Sequence, residues 1–276
     1  MKIPFTKAHG ARNDFLLTWR EEAPKDRPGN AADLPAVARA ICDRHTGVGA
    51  DGWLLVSEAQ GGADACIQLW NSDGSASEIS GNGTRCAAAF LIEAGRAGDQ
   101  VKIATGAGLK HLTLLERRGL KFSLEMGMGR AAIEELQVAL PFGEDAQDAN
   151  ILSDVTVLNV GNPQCVVFVA DFDFDWRTLG ALVERHPRFP NRTNVSFVKV
   201  LDPHTLEVFF YERGAGETMS SGTGSTGAAA AAVARGLAKD PVKVVTPAGP
   251  LLLSWEGEEI LLTGPAEISA KGEFYL

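Results

Sequence analysis

Two stretches of this chain follow one plan 141 residues apart, and no other feature restricts its fold as much. "SEISGNGTRCAAAF" (77–90) and "SSGTGSTGAAAAAV" (220–233) each run a polar, glycine-rich loop directly into a small-residue helix. Independent markers keep the same offset: Arg44-His45 with Arg185-His186, Asn71 with Glu212, Ser80-Gly81 with Ser221-Gly222, and Gly95 with Gly236. Chance does not readily align so many. The chain therefore reads as two homologous halves, residues 1–119 with 264–276, and residues 120–263. Its 276 residues suit two domains of ordinary size.

Between the loops the texture is mostly strand. Short apolar or alternating runs bounded by Gly, Asp and Pro occupy 14–19, 52–59, 66–71, 101–108 and 120–127. The second half repeats them at 155–161, 165–171, 194–201, 206–213, 242–249 and 251–257, and 264–276 reads as an odd strand returning to one half. Helices are few. Asp33 with Pro35 starts one running to about His45, and Asp175 starts another to about His186. The other two follow the opening loops and stop at Gly95 and Gly236, glycines suited to the left-handed C′ position. Those two are alanine-rich with almost no polar face, so each is expected to lie buried inside the strands of its own half.

Charge and cysteine usage narrow the function. With 26 basic against 35 acidic residues the net charge is −9, which disfavours a nucleic-acid surface. No apolar run reaches the roughly 20 residues of a membrane span, and "MKIPFTKAHG" has no signal-peptide core. Cys42, Cys66, Cys86 and Cys165 form no metal knuckle or C-x-x-C pair, so they read as reduced thiols of a cytoplasmic enzyme.

A helix N-terminus exposes unpaired N–H groups and carries about half a positive charge. The loops "SGNG" and "SGTG" are thus candidate anion sites, each with a hydroxyl at its edge. Ser80 and Ser221 also suit plain N-caps, a reading that the shared offset weakens. "GTGSTG" (222–227) spells a dinucleotide fingerprint, but nine residues separate it from "VFFYE" and Asp240 comes too early to bind a ribose. Two halves aiming two positive helix ends at one cleft suit a ligand that carries or develops negative charge.

"HGARNDF" (9–15), "GVGADGWLLV" (47–56), "NSDGSASEISGNGTRC" (71–86), "GNPQCV" (161–166), "RFPNRTNVSFV" (188–198) and "ERGAGETMSSGTG" (212–224) closely resemble diaminopimelate epimerase, in order along nearly the whole chain. The resemblance implies an α/β (α+β) fold of two pseudo-symmetric halves. Each would be a mostly antiparallel sheet rolled around a central helix, with the active site in the cleft between them. It implies a cytoplasmic, homodimeric isomerase of lysine and peptidoglycan precursor biosynthesis, acting on a small amino acid without pyridoxal phosphate, metal or other cofactor. One group removes the α-proton of LL- or meso-diaminopimelate while another delivers a proton to the opposite face. By position, Ser80 and Ser221 fall in the catalytic places. Asn13, Asn71, Asn162 and Asn194 would grip the substrate, Glu212 and Arg213 would hold its distal amino-acid end, and Gly81, Asn82, Gly222 and Thr223 would supply donors to the reacting carboxylate.

The departures sit at the centre of that pattern. The family has cysteine where Ser80 and Ser221 stand, and histidine where Gln164 stands in "GNPQ". A thiol at a helix N-terminus is readily a thiolate base, whereas a serine hydroxyl is a far weaker acid and needs an activator. No histidine adjoins either serine in sequence, and Glu78 and Glu217 have no place assigned. Three readings stay open: an epimerase working through serine on this or another amino acid, a Cys-to-Ser inactivated form, and a non-catalytic amino-acid-binding homologue.

Overall fold

The computed structural model describes residues 1–25, 32–59, 61–141, 152 and 154–276. It divides into two compact units, Met1–Met126 with Gly264–Leu276, and Gly127–Thr263. No helix is long and apolar enough to cross a membrane among the described residues.

The first unit contains β1 (Lys2–Gly10), β2 (Asn13–Trp19), α1 (Leu34–Cys42), β3 (Gly52–Glu58), β4 (Ala65–Asn71), β5 (Ala76–Ser77), α2 (Gly81–Glu93), β6 (Gln100–Thr105), β7 (Gly108–Arg118) and most of β8 (Lys121–Gly129). Strand pairing runs β1–β2 antiparallel, β2–β3 parallel, β3–β4 antiparallel, β4–β6 parallel, then β6–β7 and β7–β8 antiparallel. The chain's last residues return antiparallel to β1, and Ile268 N–H donates to Leu120 O at 3.0 Å, rolling the sheet towards closure. Inside it lies α2, buried from Asn82 to Ile92. On the outer face α1 packs Val37, Ala38 and Ile41 against Leu16, Trp53 and Leu55. With both faces covered, β2 and β3 carry runs of consecutive buried residues instead of an alternating pattern.

The second unit repeats this order with β9 (Ala132–Val138), β10 (Val155–Asn159), β11 (Pro163–Phe168), α3 (Trp176–Glu184), β12 (Asn194–Asp202), β13 (Thr205–Glu212), β14 (Gly216–Thr218), α4 (Gly222–Ala234), β15 (Val242–Thr246), β16 (Gly249–Glu256) and the first residues of β17 (Glu259–Tyr275). Again, among the described residues, β11–β12 and β13–β15 are parallel, and β9–β10, β10–β11, β12–β13, β13–β14, β15–β16 and β16–β17 are antiparallel. The alanines Ala228–Ala232 of α4 are buried among Leu158, Val166, Val208, Phe210, Val244 and Leu262. Alanine suits this place because small side chains let strands approach the helix from several sides at once. Outside, α3 packs Trp176, Leu179 and Val183 on Val155, Val195 and Phe197.

Both buried helices end as their glycines imply. Gly95 and Gly236 have φ of 67° and 70°, with Gly95 N–H donating to Ile92 O at 3.1 Å and Gly236 N–H to Val233 O at 3.0 Å. The outer helices stop earlier than sequence suggests. α1 ends at Cys42 because the Asp43 carboxylate draws in the N–H groups of His45 and Thr46 at 2.8 and 2.6 Å; α3 likewise ends at Glu184. Besides the short β5 and β14, the strands β1, β7 and β9 among the described residues carry no recognisable sequence signal. β1 includes Pro4, while β7 and β9 are exposed along most of their length and so lack the apolar alternation of a half-buried strand.

Candidate functional site

The two glycine-rich loops fold into matching caps. Ser80 and Ser221 take extended dihedrals (φ −131°, ψ 123° and φ −133°, ψ 124°), and each hydroxyl oxygen accepts from the N–H three residues on, Gly83 at 3.1 Å and Gly224 at 3.0 Å. Their carbonyls take the next N–H, from Thr84 and Ser225. The amides of Gly81-Asn82 and Gly222-Thr223 therefore begin each helix without an internal partner among the described residues. The glycines answer to neighbours as much as to any ligand. A Cβ on Gly83 would lie 3.3 Å from Phe15, Leu54 and Ser80, and one on Gly224 would lie 2.7 Å from the Phe210 ring and 3.0 Å from Ser221 Cβ.

In the first unit, polar groups gather at the start of α2. A two-residue turn with Ala11 and Arg12 at φ of 49° and 61° leads into Asn13. Asn13 Nδ2 donates to Asp51 Oδ2 at 2.7 Å, and Asn82 Nδ2 donates to Asn13 Oδ1 at 3.3 Å. Asp51 also meets Arg44 at 2.8 Å, and Arg44 meets Asp14 at 2.7 Å. Burial pushes the Asp14 carboxyl up, but Arg44 and Lys7 outweigh it and hold the group below its ordinary range. Asn71, at the end of β4, is engaged locally, its Nδ2 donating to Ser75 Oγ at 2.9 Å. The Ser80 hydroxyl is half-buried and, among the described residues, no carboxylate or other acceptor receives its proton.

In the second unit, the predicted residues connect more tightly. Ser221, 4% exposed, donates its hydroxyl to Glu212 Oε1 at 2.6 Å. Burial raises the Glu212 carboxyl above its ordinary value, with the Ser221 hydrogen bond opposing. Gln164, fully buried, donates Nε2–H to Asn162 Oδ1 at 2.7 Å, and Asn162 Nδ2 donates to Thr223 Oγ1 at 3.3 Å. Asn194 holds the turn after β13, accepting from Arg213 N–H at 3.0 Å and donating to Pro163 O at 3.0 Å. The Arg213 side chain is exposed and reaches Asn191 O at 3.2 Å.

Several questions open in the sequence close here. Glu217 is not beside Ser221; it forms an exposed bidentate pair with Arg177 at 2.6 and 2.8 Å. Glu78 is exposed, and its backbone packs against Gly106. The acid that reaches a serine is Glu212, a contact that no sequence spacing announced. Cys86 is fully buried with its thiol pushed up to about 12 by burial, and Cys42 and Cys165 stand at about 12 for the same reason. None is an available thiolate. Arg85 went unassigned although it lies inside "SGNGTRC"; it is fully buried, its guanidinium reaching Asn82 Oδ1 and Pro265 O. The signal available was a cation in the first turns of a helix whose following residues, Cys86–Ile92, are apolar up to Glu93 at its end. Among the described residues no group of His, Cys, Asp and Glu converges as a metal-binding set.

The architecture is that of known solved structures. A phenazine biosynthesis protein of the PhzF family from Bacillus anthracis superposes with a TM-score of 0.74 at 14% identity, covering 100% of both chains. A hydroxyproline epimerase from Agrobacterium vitis gives 0.72 at 17% identity, covering 99% of this chain and 92% of its own. These likenesses define the fold class, a mixed α/β fold of two repeated units with a helix at the heart of each sheet. Sequence narrows it further. The profile of diaminopimelate epimerase matches residues 5–133 and 156–269. Diaminopimelate epimerases of Pelotomaculum thermopropionicum and Carboxydothermus hydrogenoformans are 39% and 36% identical, covering 98% and 99% of this chain and 98% and 100% of theirs. The chain belongs to the diaminopimelate epimerase family, and it is an isomerase.

Proposed function

We propose that the chain epimerises the α-carbon of diaminopimelate by two-base proton transfer, with Ser80 and Ser221 as the acid–base groups and no cofactor. The observation that carries this reading is the 2.6 Å hydrogen bond from Ser221 Oγ to the Glu212 carboxylate. It supplies the activator that a serine needs. As Ser221 Oγ takes the α-proton, its own proton passes to Glu212, so no free alkoxide forms. The raised affinity of Glu212 for protons favours that transfer.

The other face is served differently. Ser80 delivers its hydroxyl proton to the α-carbon as it takes one from water, to which its half-buried position gives access. The proton that Glu212 then releases to solvent neutralises the hydroxide left behind. In the carbanion-like intermediate the α-carboxylate gathers charge, and the open N–H groups of Gly81-Asn82 and Gly222-Thr223 are suited to receive it. Asn13, Asn71, Asn162 and Asn194 hold the remaining polar groups of the substrate, and Arg213 takes the distal carboxylate. Glu212 then has a second task besides the distal ammonium, as the proton acceptor behind Ser221.

Assembly as a homodimer and residence in the cytoplasm belong to the same reading; light scattering tests the first. The reaction itself is tested by incubating the protein with LL-diaminopimelate in deuterated water. Formation of meso product carrying an α-deuteron is expected. Binding without exchange removes the enzymatic reading and leaves a binding protein.

A further inference from the structure

The first turns of α2 hold a charge that meets no carboxylate among the described residues. Arg85 is 0% exposed. A buried guanidinium normally meets a carboxylate, because an ion taken out of water is unfavourable without a counter-charge. Here Nη2 donates to Asn82 Oδ1, Nε donates to Pro265 O at 3.4 Å, and Nη1 has no partner. Burial pulls the group down to about 10, which still leaves it charged at neutral pH. An alanine-rich buried helix has no folding need for such a residue; an apolar side chain of similar length fills the space with less desolvation.

The repeat makes the placement more telling. At the matching position of α4 stands Thr226, a buried hydroxyl that donates to Gly222 O at 2.8 Å. Conversely, the carboxylate beside Ser221 has no counterpart beside Ser80 among the described residues. Two caps with the same backbone thus carry opposite charges, a cation behind α2 and a carboxylate at the edge of α4.

We propose that Arg85 is the positioning residue that makes the N-terminus of α2 the principal carboxylate-binding end. It acts in two ways. Its full charge adds to the half charge of the helix end. Its hydrogen bond also fixes the Asn82 amide, whose Nδ2 donates to Asn13 Oδ1 at 3.3 Å while Asn13 Nδ2 donates to Asp51 at 2.7 Å. Both amides use their oxygens within the protein and keep an N–H hydrogen for a ligand. A carboxylate oxygen meets donors there. The inference rests on the reading that the first turn of α2 receives the substrate's α-carboxylate.

The test compares wild type with Arg85→Met and Arg85→Lys, measuring melting temperature, calorimetric binding of LL-diaminopimelate, and α-deuterium exchange. Arg85→Met is expected to melt at or above the wild-type temperature, because an uncompensated ion is gone. It should nevertheless bind more weakly and exchange about 10²-fold more slowly, the scale of losing one preorganised oxyanion partner, with the larger share of the loss in kcat. Arg85→Lys should recover most of the loss, since it restores the charge. A stable Arg85→Met that binds and exchanges like wild type overturns the proposal. So does a variant that loses stability and activity together, which marks Arg85 as structural. If wild type binds without exchanging, the reading of the reaction fails and the binding comparison alone decides Arg85. If wild type does not bind, the carboxylate site is refuted and Arg85's role falls with it.

Discussion

The hydroxyl of Ser221 donates to the carboxylate of Glu212 at 2.6 Å. The matching pair in the other unit, Ser80 and Asn71, is not joined; Asn71 donates to Ser75 at 2.9 Å instead. One duplicated backbone therefore carries two chemically different proton-handling groups. The expected consequences follow from that difference.

Removing the hydroxyls one at a time separates the faces. Ser221→Ala should slow α-deuterium exchange by about 10²–10⁴-fold, as loss of an acid–base group does. Ser80→Ala should keep exchange with retention of configuration, because Ser221 and Glu212 still remove and return a proton, yet give no inverted product. Each loss of an N-cap also lowers stability by about 1 kcal/mol. Chiral analysis of substrate recovered from deuterated water distinguishes the two outcomes.

The raised Glu212 carboxyl sets the pH behaviour. A base must be ionised, so the acidic limb of kcat/KM should have its midpoint above the ordinary glutamate value. Stability moves the other way. The folded protein binds this proton more tightly than the unfolded chain, so Glu212's contribution is fully present below the unfolded pKa and is lost as pH rises through the folded one. Denaturant titrations at several pH values should show that slope in wild type, and Glu212→Gln should flatten it.

Thiol chemistry should be irrelevant to this protein. Iodoacetamide is expected to label Cys66, the exposed cysteine, and to spare Cys42, Cys86 and Cys165, whose buried thiols stand at about 12. Activity should survive the treatment. Installing thiols with Ser80→Cys and Ser221→Cys together should raise the exchange rate and make it sensitive to the same reagent, as mass spectrometry and turnover would register.

Glycine-to-alanine changes at the two caps should differ in cost. In a helix interior the change gains about 1 kcal/mol of propensity. At Gly224 the new Cβ would meet the buried Phe210 ring at 2.7 Å, and overpacking of about 1–3 kcal/mol should prevail. At Gly83 the contacts are 3.3 Å, so near-neutral stability is expected. Thermal melts of Gly224→Ala and Gly83→Ala check this.

Local signals in the sequence read well where physics is local. Ser80, Ser221, Asp33 and Asp175 cap helices because a short oxygen before a helix has few other uses, and Gly95 and Gly236 end them because φ there is positive. The alanine runs implied buried helices, and α2 and α4 are buried. What stayed hidden is tertiary. Glu212 ends β13 and Ser221 caps α4, and only the turn back through β14 brings them together. Arg85 looks like a surface residue until the sheet surrounds it, since arginine is rarely fully buried. β7 and β9 face solvent, which leaves them no apolar periodicity to betray.

The most direct measurement follows LL-diaminopimelate in deuterated water with wild type and Glu212→Gln side by side. The account predicts that wild type forms meso product with one solvent-derived α-deuteron, and that Glu212→Gln, folded and compared at saturating amino acid, exchanges about 10²-fold more slowly or worse. Equal exchange by the two proteins, or binding by wild type with no exchange at all, would contradict it.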